Sequence, residues 1–228
     1  MKKFNFLSSF LITCFLISSC QANTTNEVKW SEDGKITVPN GKKISLEIQS
    51  AYDGLTYLDK TYIAGFKIDK DGNNFPYIVV ISHDLSTINY YKFDGIINDI
   101  FVHKNAIYAN DNSGKVFSFD GKQWPETALV FPVDSFVAYS DNSAELVVCN
   151  RASLLKEGDH NNSGCYSLEK KWKYNFFWTT HQPKVCDGKL YLIDSTADNF
   201  KVLSLESGKA LSSKAIKNIP SDLCKLKI

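Results

Sequence analysis

The sequence predicts an all-β protein, a small β-propeller of five blades, and three observations lead to this fold class. Short apolar runs rich in Val, Ile, Tyr and Phe alternate with turn-forming clusters, while helical periodicity is nearly absent, as is typical of all-β chains. A unit of turn, apolar strand, polar hairpin and alternating strand recurs about every 40–45 residues, the period of propeller blades. Strand-like segments at the two ends of the chain complete the repeat.

Ten short runs of the sequence are the predicted strands. Clusters such as Asp111–Gly114 and Asp187–Gly188 separate them, because Gly and Asn tolerate the positive φ angles that tight hairpins require. The predicted strands are Ile44–Ile48, Tyr62–Phe66, Tyr77–Ile81, Ile88–Phe93, Ile107–Ala109, Val116–Phe119, Leu129–Phe131, Leu146–Cys149, Leu190–Ile193 and Val202–Leu205.

Internal similarity defines the predicted blades. Residues 103–124 align with residues 186–211, so that Ile107 and Leu190 take equivalent places, and weaker copies begin near Tyr62 and Leu146. A single blade cannot bury both of its faces, so neighbouring blades stack and share a core. The predicted blades span residues 54–97, 98–137, 138–178 and 179–216.

The two ends of the chain predict a composite fifth blade. Residues 221–228 are similar to the leading strands at 98–104 and 182–188, so they are expected to form its innermost strand. Its outer strands are expected at Val28–Trp30, Lys35–Val38 and Lys43–Ile48. Pairing the N-terminal strands with the C-terminal strand closes the ring and hides strand edges that otherwise aggregate.

The N-terminus has the parts of an export signal. Lys2 and Lys3 precede the mostly apolar stretch Phe4–Ile17, which is followed by Ile17-Ser18-Ser19-Cys20. The apolar stretch is shorter than the ~20 residues that span a bilayer as a helix. Ile-Ser-Ser-Cys resembles the lipobox of bacterial lipoproteins, in which signal peptidase II cleaves before a cysteine that becomes acylated.

This resemblance implies three segments: a signal peptide at 1–19, a lipidated Cys20 with a flexible tether at 20–27, and the β-propeller domain at 28–228. It implies a membrane partner held through palmitate-type acyl chains, each buried methylene contributing ~0.8 kcal/mol. Gln21 stands where an inner-membrane retention signal carries Asp, which favours the outer membrane, facing the periplasm, of a bacterial cell envelope. The alternative is an ordinary secretory signal in which Cys20 has no role.

Four cysteines of the mature chain predict two disulfides, since an even count in an exported protein is typical of disulfide pairing. Their favoured pairing is Cys149–Cys165 and Cys186–Cys224. The first pair is expected to face across a hairpin, and the second to join innermost strands of neighbouring blades. Buried free thiols are the alternative.

Charge and motifs exclude several functions. Without residues 1–19, which contain two lysines, the chain has 24 Lys and Arg against 25 Asp and Glu, or a formal charge of −1. This balance argues against nucleic-acid binding, which requires clustered basic residues. The histidines have no helical metal-site spacing, no serine lies in a G-x-S-x-G motif, and no metal, cofactor or catalytic residue is predicted. The histidines are His83, His103, His160 and His181.

Two carboxylate patterns have alternative interpretations. Asp99, Asp134 and Asp222 precede predicted inner strands, so they gather at one channel mouth in a carbohydrate-binding or glycoside-processing propeller. The favoured interpretation is that each aspartate accepts hydrogen bonds from backbone amides. Residues 69–74 similarly suggest a calcium loop, but they lack the distal Glu of an EF-hand and are better explained as a hairpin turn.

The best binding candidates are consecutive aromatic residues and a long loop. Phe176, Phe177 and Trp178 are expected to point alternately to opposite faces of a strand, which leaves at least one of them exposed for binding. Packing between blades is the favoured alternative, because it explains the same residues without a further assumption. Leu154 and Leu155 lie in the longest irregular insertion, residues 151–164, and such loops often carry recognition.

The repeat layout resembles the WD40 and quinoprotein-like propeller superfamilies, but the Gly-His and Trp-Asp signatures of WD40 repeats are missing. The sequence therefore favours a membrane-anchored, non-enzymatic module with a protein partner, including an immunity protein against an envelope-targeted toxin. The alternatives are a carbohydrate-binding or glycoside-processing propeller that uses the channel mouth, and a structural envelope protein without a specific ligand.

Overall fold

The computed structural model describes residues 29–37, 41–139, 145–150, 164–175, 182–194, 199–215 and 223–225. These residues form nineteen β-strands in five antiparallel sheets, one of three strands and four of four strands. The predicted all-β class is therefore confirmed. The described part of the chain contains no helix with the length and hydropathy of a membrane-spanning segment.

Each four-stranded sheet is a simple meander, here called a blade, and the sheets follow one another along the chain. The N-terminal sheet contains β1 (Lys29–Trp30), β2 (Lys35–Thr37) and β3 (Lys43–Ser45). Blade 1 contains β4 (Ser50–Tyr57), β5 (Lys60–Ile68), β6 (Asn74–Ser82) and β7 (Ile88–Lys92). Blade 2 contains β8 (Ile97–His103), β9 (Ala106–Asp111), β10 (Lys115–Ser118) and β11 (Glu126–Val130).

Blade 3 contains β12 (Ser135–Tyr139), β13 (Leu146–Asn150), β14 (Gly164–Ser167) and β15 (Lys173–Asn175). Blade 4 contains β16 (Lys184–Cys186), β17 (Lys189–Asp194), β18 (Asn199–Ser204) and β19 (Ala210–Ala215). The predicted blades overlap these four sheets, with boundaries that differ by one to seven residues, and the predicted second blade, 98–137, wrongly includes the first residues of β12.

The first strands of the four blades form an inner row. Strand β4 contacts β8, β8 contacts β12, and β12 contacts β16. The other strands of each blade follow outward in chain order, so β7, β11, β15 and β19 are the outermost strands. This radial order is that of a propeller.

The core lies between neighbouring blades, where buried apolar side chains of two sheets meet. Removal of such area from water is the main favourable term in folding, at roughly 25 cal/mol per Å². The contacts are Ala64 and Ile78 with Ile100 and Ile107 between blades 1 and 2, Phe101 and Val116 with Val137 and Leu146 between blades 2 and 3, and Val147 with Leu190 and Leu203 between blades 3 and 4.

The N-terminal sheet has the local geometry of the outer part of a blade. In blade 2, the Phe131 amide donates to the Gly114 carbonyl over 2.9 Å. In the N-terminal sheet, the Leu46 amide donates to the Gly34 carbonyl over 2.8 Å. Both glycines have positive φ, 88° and 72°, and an added Cβ at either would approach a backbone oxygen within 2.4 Å. The turn before β2 and the end of β3 therefore have the same local geometry as the turn before β10 and the end of β11 in blade 2.

The C-terminal prediction is wrong over residues 223–225. These residues form a 3₁₀ turn, not an innermost strand, and the turn contacts β16 and β17 of blade 4. Leu223 is 5% exposed and packs with Tyr191 and Phe200. A buried leucine thus covers the face of blade 4 that is turned away from blade 3. The remaining residues of 221–228 lie outside the described part.

The structure contains both predicted disulfides. Cys149 and Cys165 are directly opposite each other on β13 and β14, with their Cα atoms 4.0 Å apart. Cys186 and Cys224 have Cα atoms 6.0 Å apart. The pairing of Cys186 with Cys224 is therefore correct, but the expected geometry is not. Cys224 lies in the 3₁₀ turn and not on an inner strand.

Candidate binding surfaces

The meander places alternate connections at opposite ends of the blades. The first rim holds the hairpin turns 69–73 and 111–114 and the linkers 93–96 and 131–134, which lead into β8 and β12. The second rim, at the other end, holds the turns 58–59 and 104–105 and the loop 119–125. Loops carried on such a rigid scaffold are the usual place for recognition.

Among the described residues, four aliphatic side chains are exposed at the first-rim end, one of them Val130 at the end of β11, which is 67% exposed. Ile68, Ile96 and Val133 are 36%, 44% and 58% exposed, and they lie at the end of β5, before β8 and before β12, respectively. Exposed aliphatic side chains grouped in this way indicate an interaction surface when they are contiguous.

Asn112 fixes the linkers that carry two of these side chains. Its amide donates to the Ile96 carbonyl over 2.8 Å, and its Oδ1 accepts the Ile96 amide over 3.1 Å. Its own carbonyl accepts the Asp134 amide over 3.2 Å. Ile96 and Val133 therefore stand on linkers that are tied to the same turn, so little conformational entropy is lost when a partner covers them.

The second rim carries Leu58, 79% exposed, and a half-buried ionisable pair. His103 Nε2 lies 3.2 Å from Glu169 Oε1, and Glu169 Oε2 accepts the Leu146 amide over 2.9 Å. Burial lowers the pKa of His103 although Glu169 opposes the shift. Burial raises the pKa of the adjacent Glu145. The His103–Glu169 contact joins the end of β8 in blade 2 to the β14–β15 turn of blade 3.

Two carboxylates link the inner strands of successive blades. Asp53 on β4 accepts the Ile100 amide of β8 over 2.8 Å. Asp99 on β8 accepts the Val137 amide of β12 over 3.0 Å, and its other oxygen accepts Gln182 Nε2 over 2.6 Å. Both aspartates directly follow a register shift in their strands, which directs their side chains toward the next blade.

Of the three aspartates that the sequence suggests for one channel mouth, the structure describes two. Asp99 is 2% exposed, and its two oxygens serve the neighbouring blades, in agreement with the favoured interpretation that it accepts backbone amides. Asp134 lies on the first rim with a φ of 59°, and Asp222 lies outside the described residues. His83 is on the second rim with its Nε2 buried and unpartnered, whereas His160 and His181 are outside the described part.

Residues 69–74, which suggest a calcium loop in the sequence, form a hairpin turn. Asp69 Oδ1 accepts the amides of Asp71 and Asn73, and Asp69 Oδ2 accepts Asn73 Nδ2. Asp111 closes the equivalent turn of blade 2 through the Ser113 and Lys115 amides. Among the described residues, no group of His, Cys, Asp and Glu has the arrangement of a metal site.

An open groove of about 710 Å³ lies between blades 1 and 2. Its walls come from β7, the linker after it, the 111–113 turn and strands β10 and β11. Five aromatic residues line it: Tyr90, Tyr91, Phe93, Phe117 and Trp124. The prediction from sequence missed this groove, although the i, i+2 spacing of Tyr91 with Phe93 places both on one face of the chain.

The other predicted site residues lie outside the described part of the chain. These residues are the lipidation candidate Cys20 and the binding candidates Leu154, Leu155, Phe176, Phe177 and Trp178. The strands that border the two candidate segments, β13 with β14 and β15 with β16, end or begin at the first rim.

Comparison with known proteins finds similar folds among solved structures. No family model matches the sequence, and no curated protein matches it. Among solved structures, the chain is similar to the β-propeller domain of Cps50 (Swd1) from Myceliophteria thermophila, with a TM-score of 0.56 and 9% identity over 82% of this chain and 68% of that one.

It is also similar to a chain of the nidogen–laminin complex, with a TM-score of 0.52 and 13% identity over 80% of this chain and 71% of that one. BamB from Moraxella catarrhalis has a TM-score of 0.52 and 10% identity, over 82% of this chain and 60% of that one. At these identities the likeness concerns the fold alone. The described blades and these neighbours together show a β-propeller-like repeat domain.

Proposed function

We propose that this protein is a membrane-anchored, non-enzymatic binding module that holds a partner protein on its first rim. The observation that carries the proposal is the pair of exposed aliphatic side chains, Ile96 and Val133, on linkers tied by Asn112. Desolvation of such side chains on a rigid support is a usual source of binding energy in protein interfaces. The fold is compatible with this class, since one similar chain was solved in the nidogen–laminin complex.

The anchor in this proposal is an acylated Cys20. It rests on the basic start, the short apolar stretch and the Ile-Ser-Ser-Cys sequence. Within the proposed class, neutralisation of an envelope-targeted toxin is the specific role that we infer, because an immunity protein of this kind requires export, a tether and one binding face, but no catalytic residue.

A Cys20→Ser variant tests the anchor. Without the thiol no diacylglycerol is transferred, so we expect the protein to lose its labelling by an alkyne palmitate analogue and to remain unprocessed by signal peptidase II. Labelling with the palmitate analogue and fractionation of the envelope measure both effects. Equal labelling of the variant and the wild type would exclude Cys20 as the acylation site.

Substitutions on the rim test the binding face. Ile96→Asp and Val133→Asp place a charge on the proposed contact, where its desolvation is costly. We expect each to lower the amount of a specific envelope protein cross-linked to the anchored chain at least tenfold, as measured by quantitative mass spectrometry. Leu58→Asp on the second rim is the matched control, because it makes the same change at a side chain that is 79% exposed.

Retention of the same proteins by the rim variants and the wild type would exclude the first rim as the contact. A triple alanine variant of Phe176, Phe177 and Trp178 in the same experiment tests the aromatic segment separately. If hydrolysis or binding of glycans is lost in an Asp99→Asn variant that remains folded, the channel-mouth alternative replaces the proposal.

We also infer that the N-terminal sheet belongs to a fifth blade, so that the ring is completed near the C-terminus. The matching Gly34 and Gly114 contacts support this proposal, and so does the position of Leu223 on the face of blade 4 turned away from blade 3. A completed ring gives the first rim a fixed shape.

A further inference from the structure

We propose that the groove between blades 1 and 2 binds an extended segment of a partner polypeptide, which adds a strand to β7 and places a basic side chain at the first-rim end. This surface is distinct from the rim contact of Ile96 and Val133. The groove proposal and the proposed function have one point in common, which is that the partner is a protein.

The backbone of β7 carries the first part of the argument. Among the described strands, β7 pairs only with β6. The Phe93 amide donates to the Pro76 carbonyl, and the register pairs Tyr91 with Ile78. Because backbone groups alternate in direction along an antiparallel strand, Tyr90 and Lys92 direct their N–H and C=O groups to the open side of β7.

The groove reaches this open edge. Both Tyr90 and Tyr91 line it, although consecutive strand residues point to opposite faces of a sheet. Tyr90 faces the N-terminal sheet, where its hydroxyl accepts the Glu47 amide, while Tyr91 packs on the Phe119 ring of blade 2. A groove that touches both residues extends along the strand edge. Addition of a strand to such an edge is an established mode of peptide recognition.

The aromatic wall suits side chains of a peptide better than a sugar. The Phe93 and Phe117 rings meet edge to face with centroids 5.0 Å apart, and Tyr91 meets Phe119 in the same way at 5.7 Å. In each pair the edge of one ring covers a face of the other, so these pairs present edges and gaps beside the remaining ring faces, and not a continuous flat platform on which a sugar ring stacks. Alternate apolar side chains of an added strand fit such a wall.

The charges at the first-rim end favour a basic residue in the peptide. Three carboxylates line the groove: Asp94 and Asp111 lie at the first-rim end, and Glu126, at the start of β11, pairs with Lys115 over 3.1 Å. Lys92 also lines the groove, and its ammonium lies 3.3 Å from the centroid of the Phe75 ring. The lining residues therefore carry one negative charge in excess, three carboxylates against two ammonium groups, and Asp94 and Asp111 at the first-rim end complement a Lys or Arg side chain of the peptide.

The test selects peptides from a display library of random 12-residue sequences by binding to the full wild-type chain. The enriched peptides are then synthesised, and their affinity for each variant is measured by fluorescence anisotropy. We expect the enriched peptides to carry a Lys or Arg beside alternating apolar residues. Lys92→Pro removes one outward N–H that β6 does not use, at an edge position where proline is tolerated. We expect this variant to weaken binding at least tenfold, and Lys92→Ala to leave it within about twofold.

Asp94→Lys reverses an exposed charge of the groove, so we expect it to weaken binding at least tenfold, while Leu58→Asp leaves binding unchanged. A second measurement covers the case in which Lys92→Pro does not fold. N-methylation of the peptide at alternate residues is expected to abolish binding at one parity only, because only those amides face β7.

Three results would overturn the proposal. The first is that the wild type enriches no peptides beyond those that the Asp94→Lys variant enriches, and the second is that the enriched peptides bind this variant as tightly as the wild type. The third is that the wild type binds glycans on an oligosaccharide array and the groove variants do not. Rim variants Ile96→Asp and Val133→Asp are measured in parallel. Their effect on the envelope partner and the effect of the groove variants on the peptides are separate readouts, so failure of one proposal is distinguishable from failure of the other.

Discussion

Deletion of residues 221–228 is expected to lower the midpoint of thermal unfolding by at least about 10 °C. The deletion removes the Cys186–Cys224 disulfide, which spans 38 residues and contributes about 4 kcal/mol in the chain-entropy description. It also removes Leu223, which is 5% exposed against blade 4, and the loss of a buried leucine side chain costs about 2–5 kcal/mol. Their sum is a large part of the 5–15 kcal/mol that ordinarily stabilises a domain.

Two smaller changes separate these contributions. A Cys186→Ala and Cys224→Ala double variant removes only the covalent link, and Leu223→Ala removes only the buried side chain. Calorimetry is the measurement, with about 2–4 °C expected for each kcal/mol in a chain of this size. A truncated protein that unfolds cooperatively at the temperature of the wild type would show that the turn does not stabilise blade 4.

The blades could be predicted because their signals are local. Strands β5, β6, β9 and β17 combine β-branched and aromatic residues with bordering Gly and Asn, so pattern and turn chemistry agree. Cys149 and Cys165 could be paired for the same reason, since a hairpin places them opposite each other. The pairing of residues across a hairpin can be inferred from sequence because the two strands lie within about twenty residues of each other.

Strands held by tertiary contacts could not be predicted in this way. Strand β4 contains Asp53 and Gly54, residues that are poor strand formers, and the inward position of its Asp53 depends on the Ile100 amide of the next blade. Strand β19 is almost wholly exposed and carries little apolar pattern. Conversely, the similarity of 221–228 to other leading strands predicted a strand, but Leu223–Lys225 forms a 3₁₀ turn because Leu223 and Cys224 are held on blade 4.

The binding surfaces were missed because they consist of residues distant in sequence. Ile96 and Val133 become one surface only through Asn112, and the groove joins β7 to β10 and β11. The candidates taken from sequence were the consecutive aromatics and the long loop, which are conspicuous without a fold. A radial arrangement instead brings together single residues of several linkers, each of them unremarkable in its own segment.

Asp53 is expected to make stability fall as pH rises from about 4 to 7. Burial raises the pKa of this carboxyl from 3.8 to about 6, against the opposing effects of the Ile100 and Gly54 amides and of Lys184. Between these two values the folded chain binds more protons than the unfolded chain, so the free energy of unfolding decreases with pH. The full shift corresponds to about 3 kcal/mol. We expect about 1–3 kcal/mol, because the side chain is only partly removed from solvent.

Asp53→Asn abolishes this titration while it keeps an oxygen for the Ile100 amide. The free energy of unfolding of the variant minus that of the wild type is therefore expected to increase by about 1–3 kcal/mol between pH 4.5 and pH 7, as measured by urea titration at each pH. Other carboxyl groups titrate equally in both proteins and cancel in the difference.

Lys184→Met is the matched control for the sign of the effect. It removes the ammonium that holds the pKa of Asp53 down, so the wild-type decrease is expected to become steeper and to extend above pH 6. A difference between Asp53→Asn and the wild type that stays constant from pH 4.5 to 7 would show that this carboxyl ionises as freely in the propeller as in the unfolded chain. The hydrogen bond from the Ile100 amide of β8 to Asp53 of β4 would then carry no desolvation penalty. Water would reach the inner strands more freely than the contacts of Asp53 and Asp99 indicate.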